Sequence, residues 1–239
     1  MSILSHHLMN IGAKFMRILP AQPCLLCGGN SHAGLCCAAC DAELPRLSAA
    51  HCPVCALPTL AGEVCGQCLK HPPPFDHTIA AFSYDFPLDK MVQALKFRER
   101  LVLVDYLADA VVQQVQTRAD SLVALPLHPS RLRERGFNQS LLLARRIGHR
   151  LNIPILVDAC ERVRNTPPQS SLPWKERDKN MRLAFTCKPD ADVHGKHIAI
   201  VDDVMTTGAS VGELARALKQ AGASEVSAWV VARTLPHKH

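Results

Sequence analysis

Two rhythms of apolar side chains divide the chain near Phe75. Beyond it, Ile79–Ser83, Leu122–Leu127 and Val226–Val231 are short apolar runs and predict strands, with Pro154–Val157 a shorter candidate. His197–Val201 is apolar after its first residue, as expected of a parallel strand covered on both faces. Between these runs the apolar positions recur every third or fourth residue. That spacing predicts helices over Leu88–Phe97, over about 101–116 (Val104, Leu107, Ala108, Val111, Val115) and over Asn138–Leu151. Val211, Leu214, Ala215 and Leu218 mark one face of a further helix, with Ser210 at its start and Gly222 just past its end. Alternation of strand and helix predicts an α/β domain over residues 75–239, a parallel sheet flanked by helices.

Before Phe75 the pattern is different. Leu4, Leu8, Ile11, Phe15 and Ile18 form an apolar stripe at helical spacing in a segment, residues 1–22, expected to dock on the rest of the chain. It lacks a basic start and a small-residue cleavage site, so it does not read as a secretory signal. With no run of 18 apolar residues, no membrane span is expected, and the protein reads as cytoplasmic. A 48% hydrophobic chain of 239 residues also excludes wholesale disorder.

Nine of the eleven cysteines fall between Cys24 and Cys68. Cys24/Cys27, Cys37/Cys40, Cys52/Cys55 and Cys65/Cys68 are four CxxC knuckles, and nine residues separate the members of each successive pair of knuckles, so CxxC-x9-CxxC repeats. Each knuckle offers two thiolates to one metal, and two knuckles complete a tetrahedron. Eight thiolates make two closed four-sulfur sites for structural zinc, with no ligand position open for catalysis. Equal gaps favour pairing of adjacent knuckles, though alternate pairing also satisfies the spacing. Cys36 could replace Cys37 as a ligand, but CxxC spacing favours Cys37. This double zinc ribbon occupies residues 23–70, with prolines 72–74 as a stiff linker, and metal is expected to supply its folding energy. Cys160 and Cys187 stand apart and read as buried reduced thiols.

Charge is concentrated too. Residues 121–182 hold 12 basic and 5 acidic side chains, a net of +7 within a chain of net +6. A solvated surface or a site for polyphosphate or nucleic acid would both account for this. At 5% aromatic residues a base-stacking platform has few members, Phe137 and Trp174 among them.

The richest chemistry follows the strand at 197–201. Asp202 and Asp203 precede Thr206, Thr207, Gly208, Ala209 and Ser210, which lead into a helix. In an open α/β sheet ligands bind beyond the carboxyl ends of strands, and helix amino termini favour phosphate. The hydroxyls add donors, and Gly208 lets backbone approach. Two carboxylates repel a phosphate, so they must serve another part of the same ligand. A ribose 5-phosphate meets both demands, with its phosphate in the Thr/Gly/Ser cradle and its hydroxyls donating to the aspartates.

The stretch from Ile198 to Ser210 resembles the 5-phosphoribosyl-1-pyrophosphate (PRPP) motif of type I phosphoribosyltransferases. With the four knuckles, Leu95-Lys96-Phe97, Arg135 to Ser140, Arg164-Asn165-Thr166 with Gln169, and Arg182 with Phe185, the chain resembles the ComF/GntX family over roughly Pro23 to Leu235. That resemblance implies a type I phosphoribosyltransferase-like domain behind a zinc module, and a link to natural competence and the use of external DNA. It implies PRPP and magnesium as ligands, with Asp202 and Asp203 stabilising positive charge as pyrophosphate leaves the ribose. His128 and Arg131 lie in what looks like the pyrophosphate loop. Arg133, Arg135, Arg164, Lys175 and Arg177 are further anion candidates, the last three in a segment, 164–182, with the composition of a flap. Two functions follow: a PRPP-binding competence protein handling incoming single-stranded DNA, with the DNA-uptake machinery a candidate partner, or a phosphoribosyltransferase of nucleotide salvage or synthesis. The cysteine module stands where related enzymes build the acceptor pocket, and no acceptor-reading residue is identifiable.

Overall fold

The structure is a computed structural model, and it describes residues 22–31, 34–164 and 183–236. The described residues up to Glu43 form one compact unit, and those from Leu44 onward form a second. In the first, the knuckle at Cys24 turns back through Cys24 N–H···Gly29 O at 2.6 Å, and the short helix α1 (Ala38–Ala42) follows Cys37. The second unit opens with the other knuckle pair, in which α2 (Gly66–Lys70) follows Cys65 in the same way.

Four parallel strands form the central sheet of the second unit: β1 (His77–Ser83), β2 (Ser121–Ala124), β5 (His197–Met205) and β6 (Glu225–Arg233), in the order β1-β6-β5-β2. β5 and β6 are buried along almost their whole length, which is why their sequences lack polar alternation. Ile198, Ile200, Ala228 and Val230 meet Val211, Leu214, Ala215 and Leu218 of α7 (Ala209–Gln220) in one core. On the other side α4 (Leu103–Val112) packs against α6 (Gln139–Leu151), with Leu103, Leu107, Leu143 and Ile147 fully buried. Helix α3 (Leu88–Arg98) adds Leu88, Met91, Val92 and Leu95.

Several expectations change. The strand at 197–201 continues to Met205, because Asp202, Val204 and Met205 keep their register with Val230, Ala232 and Arg233. The acidic pair therefore stands on a strand, and the loop shrinks to three residues before α7. Pro154–Val157 makes only a bridge between Ile155 and Leu122. The helix expected at 101–116 is shorter and ends in turns after Val112. A short helix α5 (Pro129–Arg135) forms where a loop was read, with His128 as its amino-terminal cap and Pro129 at its first position. Cys160 and Cys187 are not free thiols. They face each other on β3 (Cys160–Arg162) and β4 (Phe185–Cys187), an antiparallel pair, and are joined as a disulfide. A separation of 27 residues left no local signal of this pairing. Prolines 72–74 do more than span a gap, since Pro74 and Phe75 lie against the first turn of α7 at Gly212 and Gly208.

The second knuckle pair is built into this unit. Ala56, fully buried, belongs to the α/β core. Thr78 on β1 donates its backbone N–H to Pro53 O at 3.0 Å and its hydroxyl to Val54 O at 2.6 Å. Residues 45–47 run beside β1, where Leu47 N–H donates to Ala81 O and Ser83 N–H to Pro45 O. They thereby cover an edge that would otherwise be open to pairing with another chain.

Candidate functional site

The eight knuckle cysteines gather into two groups, Cys24/Cys27/Cys37/Cys40 and Cys52/Cys55/Cys65/Cys68, so adjacent knuckles pair. Sulfurs bound at about 2.3 Å in a tetrahedron lie about 3.8 Å apart. Cys27 Sγ and Cys37 Sγ are separated by 3.8 Å, Cys55 Sγ and Cys65 Sγ by 3.6 Å. The spacing fits structural zinc. Backbone N–H groups also aim at the sulfurs, from Cys37 to Cys24 Sγ and from Cys65 to Cys52 Sγ, both at 3.3 Å. Those of Cys27 and Cys37 hold the Cys24 thiol down at about 6. At Cys52 burial works against ionisation, yet the N–H groups of Cys65, Cys55 and Val54 bring it to about 7. Cys36 lies outside both groups, and burial with the neighbouring Cys24 pushes its thiol up to about 11.

At the carboxyl end of β5, Asp202 and Asp203 are both buried. Asp202 Oδ1 accepts from the Ser140 hydroxyl and from the Asp203 backbone N–H, each at 2.9 Å. Asp203 Oδ1 accepts from Val204 N–H at 2.6 Å, and Asp203 Oδ2 pairs with Lys96 Nζ at 2.9 Å. Burial, then the adjacent Asp203 charge, pushes the Asp202 carboxyl up to about 7. Burial opposes the charge on Lys96, but Asp203 and Asp202 outweigh it and raise its pKa. Neither Lys96 nor Ser140 was given a role from sequence. Both lie within motifs quoted above, but a lysine at the end of an amphipathic helix carries no sign of facing inward.

Beyond the pair, a three-residue turn leads into α7. Gly208 caps α7 at φ 84°, the left-handed region that suits glycine, and Thr207 Oγ1 accepts from Ala209 N–H at 3.2 Å. A buried arginine braces it from behind. Arg233 donates to Met205 O at 3.0 Å, to Thr206 O and Thr234 O, and through Nε to Cys55 O at 2.7 Å. One guanidinium thus joins the turn before α7 to the second four-sulfur group.

The anion candidates divide. His128 Nδ1 accepts from Ser130 N–H at 3.2 Å and is occupied as a helix cap. Arg135 donates to Gln139 Oε1 at 2.6 Å and lies over the Phe97 ring. Arg133 is exposed on the same helix, and Arg164 is exposed after β3. Arg131 is close enough to Arg162 that its charge, after burial, lowers the Arg162 pKa, while Asp202 raises it. Arg162, 8% exposed, is a buried cation beside the acidic pair and was missed from sequence, since β3 itself was not predicted. Lys175 and Arg177 lie outside the described residues, as do Trp174 and the stripe at 4–18. Part of the basic segment is compensated: Arg146 pairs through two bonds with Asp105, and Arg150 with Asp109 at 2.7 and 3.1 Å, tying α6 to α4.

Comparison with known proteins agrees with both halves. Residues 15–69 match the Double zinc ribbon domain and residues 138–237 the Phosphoribosyl transferase domain. The DNA utilization protein YhgH of Salmonella typhimurium is 36% identical over 86% of this chain and 92% of its own. Competence protein F of Haemophilus influenzae is 31% identical over 88% and 96%. Among solved structures, glutamine PRPP amidotransferase from B. subtilis superposes with a TM-score of 0.38 at 19% identity, over 54% of this chain and 26% of that one. Among the described residues no helix is long and apolar enough to cross a membrane.

Proposed function

This chain belongs to the ComF/GntX family, and on that premise we propose that its second unit binds PRPP, with the cradle at Thr206–Ser210 taking the 5-phosphate and the acidic pair taking the ribose. The observation that carries the reading is the buried, hydrogen-bonded pair Asp202–Asp203, with Asp203 five residues before the Gly208 cap of a helix amino terminus. Arg131 and Arg162 supply cations for pyrophosphate. Magnesium brought with the ligand neutralises polyphosphate charge and polarises the leaving group. Asp203 is already paired with Lys96, so the two aspartates are assigned to the ribose hydroxyls, and magnesium would come bound to the ligand.

Magnesium and PRPP together should raise the melting temperature. At a hundredfold excess over Kd the gain is about 2.7 kcal/mol, or roughly 5–10 °C for a chain of this size. Asp202→Asn with Asp203→Asn should lose most of that shift while keeping zinc content and helicity. Equal shifts in wild type and variant would remove the assigned role of the pair.

The relatives' names favour a DNA-linked role over nucleotide salvage. We propose that single-stranded DNA uses arginines of the basic segment other than Arg146 and Arg150. With Arg146 and Arg150 tied to α4, about three phosphates are neutralised, which predicts a slope of log affinity against log salt near −2. Because Arg131 would serve both ligands, saturating magnesium-PRPP should weaken DNA binding, and DNA should weaken PRPP by the same factor. A flat salt dependence would remove the basic face.

A further inference from the structure

The opposite end of the sheet carries a second constellation. His77, His197 and Glu225 are the first residues of β1, β5 and β6, three neighbouring strands. In register, Glu225 stands beside His197, and Ser227 beside His77. Glu225 and Ser227 are two residues apart and so share a face. The sheet therefore fixes two imidazoles, a carboxylate and a hydroxyl at one corner. His77 Nδ1 lies 3.3 Å from Glu225 Oε1, and His197 Nε2 lies 3.9 Å from the same oxygen. All three ligand atoms fall within 4.8 Å of one another, and the rings meet edge-on with centroids 5.5 Å apart. The fully buried Ser227 places its hydroxyl 2.8 Å from His197 Nε2.

We infer that His77, His197 and Glu225 form a third metal site in this chain, for a divalent transition ion of the zinc class. An ordinary ion pair explains less, because it uses one imidazolium and leaves the second imidazole facing the same oxygen. Burial and the neighbouring His197 favour the neutral form of His77, which leaves its ring nitrogen free to act as a ligand. Two imidazole nitrogens and one carboxylate suit zinc, copper, iron or nickel, and not magnesium or calcium. Zinc holds nitrogen and oxygen at about 2.0–2.2 Å, so tetrahedral ligands lie about 3.4 Å apart. The His77–Glu225 spacing already meets that, and His197 closes by a small shift. Three protein ligands leave a fourth position for water or the Ser227 hydroxyl. Two further carboxylates at this edge make the potential favourable to a cation: Asp76 pairs with Lys219 and accepts from Val226 N–H, and Asp120 accepts from His197 N–H. Asp203 lies six residues beyond His197 along β5, about 20 Å, so the corner is distinct from the acidic pair.

The test uses the full chain with both four-sulfur groups filled with zinc. Calorimetric titration with further zinc should show one more equivalent per chain. His77→Ala should abolish it, and Glu225→Gln should weaken it at least about tenfold, with the sulfur-bound zinc and the helicity unchanged. Cobalt(II) added to the zinc-filled chain should absorb without a sulfur-to-metal charge-transfer band. No uptake beyond the sulfur sites, a further equivalent that survives in both variants, or cobalt absorption of thiolate character would each overturn the assignment.

Discussion

Cys52→Ser should destabilise the whole α/β unit, whereas Cys24→Ser should unfold only the first four-sulfur group. Each group carries the same four ligands, so the difference comes from what surrounds them. Around the second group, Ala56 is part of the sheet's core, Thr78 ties Pro53 and Val54 to β1, and Cys55 O accepts from buried Arg233. Structural zinc contributes about 10–16 kcal/mol to the folding of an isolated finger, against about 5–15 kcal/mol for the net stability of a domain. Losing even a quarter of that contribution costs the α/β unit about 3 kcal/mol, or roughly 10 °C. Chelation should also weaken magnesium-PRPP binding, because Arg233 holds the Thr206 carbonyl as well as the knuckle. Calorimetry of the two variants decides it, and equal losses from the α/β transition in both would show that the second ribbon does not brace the sheet.

The halves of this molecule differed in how openly the sequence showed them. The knuckles were legible because zinc geometry demands a fixed spacing; equal gaps favoured adjacent pairing but left alternate pairing open, and the grouping of the sulfurs decided it. The sheet was legible because strands buried on both faces are unbroken apolar runs. The continuation of β5 through Asp202 and Asp203 was hidden, since charged residues interrupt the run that marks a strand and only pairing with β6 carries it on. The partners Lys96, Ser140 and Arg162 were hidden for a related reason. Each acts across a large separation in sequence, 62 residues for Ser140 and Asp202, and nothing local marks a polar side chain as facing inward. The integration of the second ribbon was equally invisible, because it rests on Arg233, 178 residues beyond Cys55.

Lys96→Met should be the most damaging single change at the acidic pair, and its damage should depend on pH. Removing one partner of a buried ion pair costs about 3–5 kcal/mol, because the other charge stays desolvated. Asp203 would then be that charge, with Asp202 beside it and Lys96 no longer favouring ionisation of Asp202. The wild type already carries part of this strain. Asp202 has a folded pKa near 7 against about 3.9 unfolded, so the native state holds an extra proton between those values. Its contribution is fully present below pH 4 and is lost as pH rises through 7, on the order of 4 kcal/mol in all. Denaturant unfolding at pH 5 and pH 8 should therefore show wild type weaker at pH 8. Lys96→Met should be weaker still at pH 8 and closer to wild type at pH 5, where Asp202 holds a proton. Asp202→Asn should flatten the difference in both backgrounds, since an amide oxygen still accepts from Ser140 and from Asp203 N–H without carrying charge. If Asp202→Asn leaves the pH dependence of wild type untouched, the proton does not reside on this pair. A ribose bound as proposed would then meet two full carboxylates, with Lys96 paired to Asp203 and the Arg162 charge acting on Asp202.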